Sequence, residues 1–325
     1  MTARLPEPMH AAAGFAAHAT IDHASHIRQA PARLAAAWRD PAARFLPVRE
    51  AQCMIRDGGA ARLSADELGQ RLPALEEAIF LGLEAGAPRF AIRIGAQEEP
   101  PVPGHFSGLR ELLGLVPEQD AALLAYARAM VNWHRQHRHC TACGAPTRAT
   151  EGGFVLGCSA EACGQRSFPR LDPAIIVLVH HAGRCLLGRQ ASWPAGRFST
   201  IAGFVEPGEA LEDAVRREVA EETNIRLAQC HYMGSQPWPF PASLMIGFHA
   251  AAASSDILLN DGELAEARWF SRQELATGRV LLPPPASIAW RLIEAWFDAA
   301  PGPATAGRLR DVASPWTAGA SPGRA

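Results

Sequence analysis

Three glutamates, Glu218, Glu221 and Glu222, stand at i, i+3 and i+4, so a helix through them gathers their carboxylates on one face. Like charges at that spacing repel, and a hard cation with oxygen ligands is the natural neutraliser. Directly upstream runs the glycine-bearing loop Gly203-Phe204-Val205-Glu206-Pro207-Gly208-Glu209. A loop of that kind ahead of an acidic helix is suited to holding a divalent metal against a diphosphate.

The whole spacing reads Gly203, five residues, Glu209, seven residues, Arg217-Glu218-Val219, one residue, Glu221-Glu222, and it resembles the signature box of the Nudix hydrolases. One position departs from that family. Asn224 stands where the family has Gly, just past the helix, and Asn is the residue next most able to take the left-handed conformation of a helix end. A solvated acidic helix face is the competing reading, and the complete multi-position spacing argues against it.

A second cluster has ligand chemistry of a different kind. Cys140-x2-Cys143 and Cys158-x4-Cys163 are separated by fourteen residues, close to the spacing of a zinc ribbon in which two knuckles give four thiolates to one tetrahedral Zn²⁺. Gly144 and Gly164 follow the second cysteine of each pair, and the second knuckle is two residues longer than the usual Cys-x2-Cys. Two alternatives remain open: four reduced buried thiols, or replacement of one ligand by His134, His137 or His139. Four thiolates leave no open coordination position, so such a site is structural. The other cysteines, Cys53, Cys185 and Cys230, lie among apolar neighbours; an odd, clustered count is unlike a secreted disulfide framework.

The elements that must position these groups follow from composition and pattern. A chain of 325 residues is long enough for two or three domains. The net charge of -2 carries no chain-wide polyanion signature. Every basic residue is Arg, which excludes a Schiff-base lysine or a P-loop lysine. Apolar runs stop short of a membrane span, and the Ala-rich start is broken by His, Asp and Arg, so a soluble cytoplasmic protein is expected. Residues 1 to about 45 show little periodicity, and part of the first 40 is expected to be disordered. Apolar runs at 78–83 and 90–94 predict strands, residues 109–115 a short helix and 120–134 a longer one. Downstream, 174–179 and 185–187 predict a hairpin, 244–251 and 267–270 further strands, Ser271 to Glu274 a capping box, and a closing helix begins near Ser287. The Pro, Gly, Ala and Ser content of 301–325 predicts a disordered tail.

Between the acidic helix and the next strand lies Ser235-Gln236-Pro237-Trp238-Pro239-Phe240-Pro241-Ala242-Ser243. Prolines at every second position cannot donate ladder hydrogen bonds, so a stiff extended segment is favoured over a central strand. Together with the box and the cysteine cluster, this segment makes residues 133–296 resemble the NADH pyrophosphatase branch of the Nudix hydrolases. The resemblance implies a Nudix α/β/α sandwich over 171–300; with the strands and helices read upstream and the cysteine spacing, an α/β (α+β) protein is expected, with an N-terminal α+β domain over 1–132 and a zinc ribbon over 133–170. It also implies a homodimer that splits NADH or NAD into a nicotinamide mononucleotide and AMP and removes NAD caps from RNA. By position, Glu218, Glu221, Glu222 and Glu263 carry over as ligands for Mg²⁺ or Mn²⁺ and as catalytic carboxylates, and Cys140, Cys143, Cys158 and Cys163 as Zn²⁺ ligands. Phe204 carries over as the aromatic that meets the substrate rings, with Gln236, Trp238, Phe240, Ser243, Met245 and Phe168 as further pocket candidates. Arg217 is expected to orient the loop through Glu209. Which glutamate acts as base stays open, as do two rival readings: a Nudix hydrolase of ADP-ribose or coenzyme A, and a non-catalytic zinc-ribbon binding module.

Overall fold

A computed structural model of the chain describes residues 21–299, apart from 113 and 261, and residues 307–316. The described residues up to Leu171, joined by Pro239–Ala242, form one compact unit, and the remainder form a second.

The first unit opens with β1 (Ile21–Asp22) and two helices, α1 (Ser25–Arg28) and α2 (Pro31–Trp38). Pro31 occupies the first turn of α2, where its missing N–H costs nothing. Ile27, Leu34 and Trp38 pack on the cluster of Phe45, Phe80 and Phe90, and the Trp38 ring meets Phe45 and Phe90 edge-on at 5.0 Å each. Residues 25–38 are thus ordered, in helices of four and eight residues that are too short to show a clear period and are held by tertiary packing. Residues 1–20 lie outside the described residues.

Strands β2 (Arg44–Arg49), β3 (Gln52–Arg56), β4 (Gly59–Ala60), β5 (Ile79–Glu84), β6 (Ala87–Ile94) and β7 (His105–Gly108) complete a sheet in the order β1-β5-β6-β2-β3-β4, with β7 on β3. Helix α3 (Ala65–Leu68) starts on a capping box formed by Ser64 and Glu67. Helix α4 (Leu109–Leu112) is shorter than the 109–115 expected, because Gly114 turns with φ +78° and Pro117 follows. Helix α5 (Glu118–Gln136) buries Leu123, Leu124, Ala127 and Val131, the stripe expected from the sequence. A small antiparallel sheet, β8 (Thr147–Thr150), β9 (Val155–Cys158) and β10 (Arg166–Ser167), carries the cysteines in the order β10-β9-β8.

The second unit is built on β11 (Asp172–His181) and its hairpin partner β12 (Arg184–Gln190), with β13 (Ile201–Phe204), α6 (Leu211–Thr223), β14 (Leu227–Trp238), β15 (Ser243–Ala252), β16 (Leu264–Ser271), α7 (Arg272–Ala276), β17 (Leu281–Leu282), α8 (Ile288–Asp298), α9 (Leu309–Val312) and β18 (Ser314–Pro315) following in turn. The six-stranded sheet runs β14-β15-β11-β12-β16, with β13 on β11. Strand β11 is apolar at successive positions because both its faces are covered. Ile175, Val177 and Val179 pack with Ala214, Val215 and Val219 of α6, while Ile176 and Leu178 pack with Trp290, Leu292 and Ile293 of α8. This is an α/β/α sandwich. The capping box at Ser271 and Glu274 is present, and Ser287 caps α8 by accepting from the Trp290 N–H.

One expectation agrees with the structure and one is corrected here. The Pro-aromatic stretch is extended and lies outside the centre of the sheet: Ser235–Trp238 ends β14, paired with Ser243–Ile246 of β15. β14 lies at the end of the strand order, where a missing proline N–H is tolerated. The tail expected beyond residue 300 is ordered at 307–316. Leu309 is fully buried in the α8 cluster, with Val312 and Ala313 packed against it, and β18 pairs in parallel with β17; a few apolar anchors inside a polar-looking segment suffice for this.

His249 on β15 is 3% exposed and donates from Nε2 to the Leu292 carbonyl at 2.8 Å. Burial, against that hydrogen bond and with help from His180 and His231, lowers its pKa from 6.5 to about 4. The unfolded chain therefore takes up this proton first, so stability is full above pH 6.5 and is lost as the pH falls toward 4. The loss is on the order of 3 kcal/mol. His249→Gln, which can still donate to Leu292, should flatten the pH dependence of the melting temperature across that window; an unchanged slope would assign the acid lability to other groups.

Candidate active site

Helix α6 is amphipathic by necessity. Ala214, Val215, Val219 and Thr223 are buried toward the sheet, which leaves the glutamates on the flank. Glu212 and Asp213 lie in the first turn, where the exposed N–H groups favour negative charge. Asn224 ends the helix in the left-handed conformation, φ 62° and ψ 7°, and donates its N–H to Ala220 O at 2.9 Å. It fills the role of the family's glycine.

Gly203 sits on β13 opposite Ile175, under the flank of α6. A Cβ there would lie 1.9 Å from Cδ of Glu218, so a residue without a side chain lets this carboxyl lie against the strand. Burial raises the pKa of Glu218; Arg217 opposes this, and the charges of Glu221 and Glu263 add to it. Glu222 is 5% exposed, whereas the Glu221 side chain is 54% exposed.

Arg217 ties the loop to this face. Its Nε and Nη2 donate to the two oxygens of Glu209 at 2.6 and 2.8 Å, and Nη2 also donates to Phe204 O at 2.9 Å. Its Nη1 donates to Glu218 Oε1 at 2.9 Å and to Glu221 Oε2 at 3.0 Å. The Arg217 fork, with the Glu206 N–H, holds the Glu209 carboxyl at a pKa of about 2. The Glu209 pairing matches the expectation from the sequence. The bridge to Glu218 and Glu221 goes beyond it, and the i, i+4 spacing of Arg217 and Glu221 is the signal that points to it. One guanidinium thus stands between two of the carboxylates where a cation would be favoured, and a half-buried set of hard oxygen donors suits a divalent ion.

The aromatic candidates distribute themselves by register. Phe204 follows Gly203 on β13 and so points to the other face of the sheet, with 58% of its surface exposed. Phe204 pairs with Ala174, Ala174 with Met245, and Met245 with Gln236, a single row across four strands. Ala174 is not among the candidates read from the sequence; a small residue at the start of an otherwise bulky aliphatic run is the available sign. Gln236 is fully buried. Its Nε2 donates to Ala286 O and its Oε1 accepts from Ile288 N, both at 2.8 Å, which fixes the start of α8. Ser243 is buried and Trp238 is half-buried opposite it. Glu263 is exposed, just before β16.

Two candidates belong to the first unit. Phe240 packs under the guanidiniums of Arg110 and Arg128, at 4.5 and 5.4 Å from the ring centre. Phe168 is 60% exposed, with Arg166 at 5.6 Å.

The four cysteine sulfurs of the first unit lie within 4.8 Å of one another. Cys140 and Cys163 are 3.8 Å apart and Cys143 and Cys158 3.4 Å, against an edge of about 3.8 Å for a tetrahedron of thiolates around zinc. Backbone N–H groups of Ala142 and Cys143 lower the Cys140 pKa to about 7, whereas burial and the facing thiols raise those of Cys158 and Cys163, so Cys140 ionises ahead of those two. His134 and His137 are committed to the carbonyls of Gly153 and Trp133, and among the described residues the four thiols group as a ligand set without His139. It fits zinc, in a closed site.

A NUDIX domain model matches residues 169–294, and a model described as an NADH pyrophosphatase-like rudimentary NUDIX domain matches residues 42–133. The chain is 39% identical to the NAD-capped RNA hydrolase NudC of Mycobacterium tuberculosis over 293 residues, covering 85% of this chain and 92% of that one. It is 42% identical to the NAD-capped RNA hydrolase NUDT12 of Homo sapiens over 195 residues, 55% of this chain and 42% of that one. A solved NUDIX hydrolase from Nitrosomonas europaea aligns at 24% identity and a TM-score of 0.35, over 42% of this chain and 79% of its own.

Gly203→Ala should destabilise the protein by about 1–3 kcal/mol through overpacking against Glu218, and far less in a Glu218→Ala background; equal losses in both, read by thermal melting, would disprove the contact. Cys140→Ser should abolish stoichiometric zinc in elemental analysis and lower the melting temperature. Wild-type protein that is zinc-free yet equally stable would rule out a structural metal.

Proposed function

The chain belongs to the Nudix hydrolases, in the branch that contains the NAD-capped RNA hydrolases, and we propose that it splits the diphosphate of NADH and NAD into a nicotinamide mononucleotide and AMP and removes NAD from RNA 5′ ends. The carboxylate face of α6 seated against Gly203 carries this reading, because the site has no role in packing that less costly apolar residues would not fill better.

Glu218, Glu221, Glu222 and Glu263 would hold magnesium or manganese. When bound, such an ion withdraws charge from the diphosphate and acidifies a coordinated water. The protein's own groups do the rest. Glu222, the most buried of the face, accepts the proton of the attacking water; Arg217 holds Glu218 and Glu221 in place; Phe204 supplies an exposed ring for a flat substrate ring, in line with Ala174 and Met245. Gln236 acts on the pocket by fixing the turn into α8. Trp238, Phe240, Ser243 and Phe168 are the remaining candidates for shaping specificity. Cys140, Cys143, Cys158 and Cys163 hold zinc as a structural ion. The substrates suit an enzyme of the cytoplasm, and we read it as a homodimer, which sedimentation at working concentration tests; no described helix is long and apolar enough to cross a membrane.

With Mg²⁺ or Mn²⁺, NADH should be cut faster than ATP, ADP-ribose or coenzyme A, with AMP and reduced nicotinamide mononucleotide as products. Glu222→Gln should lower kcat by about a hundredfold or more while preserving the melting temperature. A wide preference for ADP-ribose, release of orthophosphate, or a variant with normal turnover would each reject part of the scheme.

A further inference from the structure

A cavity of about 210 Å³ lies wholly within the first unit and belongs to none of the groups above. Its floor is apolar, formed by Ile79 of β5, Val131 of α5 and Leu156 of β9, all buried. Its rim is charged. Arg93 of β6 and Arg138, just past α5, supply positive charge, and Glu76 and Glu77, just before β5, supply negative charge. All four are exposed. Neither arginine makes an ion pair among the described residues, although two carboxylates line the same opening. His134 completes the wall, with Nε2 bonded to Gly153 O at 2.7 Å; burial first, then Arg93 and His137, oppose the charged form of its ring. The positive charge at the mouth is therefore that of the guanidiniums.

The mixture of signs is selective. A bare inorganic anion would meet Glu76 and Glu77 as well as the arginines. An acidic peptide would bring carboxylates to both. A nucleotide within a chain satisfies each part at once: the phosphates on either side of it pair with the guanidiniums, its ring covers the apolar floor, and the exocyclic amine of adenine, cytosine or guanine donates to a carboxylate. Guanidinium planes also stack on bases. The volume is below the roughly 300–1,000 Å³ that encloses a whole small ligand, so the cavity suits one nucleotide whose neighbours remain in solvent rather than a dinucleotide. That is the situation of one residue in a chain.

We infer that this cleft, with Arg93, Arg138, Glu76 and Glu77 on its rim, binds one unpaired nucleotide of a single-stranded RNA, preferring bases that carry an exocyclic amine. The inference rests on the reading of capped RNA as a substrate, and it concerns the RNA body rather than the cap. Affinity for RNA would then be partly separable from affinity for free NADH.

The test uses the full-length protein and short uncapped 3′-fluorescein oligoadenylate and oligouridylate in anisotropy titrations, with NADH turnover followed in parallel. The expected results are tighter binding of oligoadenylate, and about tenfold weaker binding by Arg93→Glu/Arg138→Glu with a salt slope shallower by about 1.4, two phosphate contacts on a single strand. NADH turnover should stay within about twofold in that variant, as expected for contacts that position only the RNA backbone. Glu76→Gln/Glu77→Gln should erase the preference for adenine over uracil. Unchanged RNA affinity in the arginine variant, or an equal loss of NADH turnover, overturns the inference. So does full displacement of the oligonucleotide by AMP at matched nucleotide concentration, which makes this a free-mononucleotide site. A wild-type protein that cuts NADH but binds no oligonucleotide overturns it while leaving the catalytic reading intact. One that binds RNA through these arginines but cuts no dinucleotide supports it and rejects the catalytic reading alone.

Discussion

The repulsion among Glu218, Glu221, Glu222 and Glu263 is the constraint around which the second unit is arranged. Carboxylates at i, i+3 and i+4 disfavour the helix that carries them, and burial of Glu218 adds to the cost by raising its pKa. Arg217 offsets part of this by donating to Glu218 and Glu221 together. The same guanidinium reaches Glu209 and the Phe204 carbonyl, so the charge that quiets the helix also sets the loop that carries the exposed ring. The helix survives because its other side buries Ala214, Val215 and Val219 against β11, and because Gly203 gives Glu218 room at the strand. An ion bound to this face would complete a neutralisation that Arg217 only begins.

β11 makes the arrangement possible. Its alternate residues serve two cores, one under α6 and one under α8, and its register with β13 and β15 decides what stands beside what. Gly203 falls on the α6 face and Phe204 on the other. The carboxylates of α6 thus lie over Gly203 on one face of the short strand β13, and the next residue, Phe204, presents its ring on the other. A one-residue slip in register would exchange them.

Much of this is legible in the amino-acid sequence itself. The box spacing places the acidic helix and its left-handed end at Asn224, the aliphatic runs place the β11–β12 hairpin, and the paired knuckles place four thiols that meet at tetrahedral distances. The features that escape such a reading depend on partners far away along the chain. Residues 25–38 have too few turns for a period yet fold on Phe45 and Phe90. Leu309 and Val312 are isolated apolar residues in a Pro- and Gly-rich tail, and both pack into the α8 core. Gln236 reads as a polar pocket group from its motif, but its amide serves the backbone at Ala286 and Ile288. The row linking Phe204, Ala174, Met245 and Gln236 exists only through the order of four strands.

The central claim, that the carboxylates of α6 form a divalent-metal site, is tested most directly by Mn²⁺ titration of the zinc-replete protein under thermal melting. Ligand linkage predicts a melting temperature that rises with free Mn²⁺ in the wild type. In Glu218→Gln/Glu222→Gln the metal-free protein should melt at or above the wild-type temperature, since repulsion has been removed, and added Mn²⁺ should shift it little. An undiminished Mn²⁺ shift in that double variant would place the ion elsewhere and contradict the account.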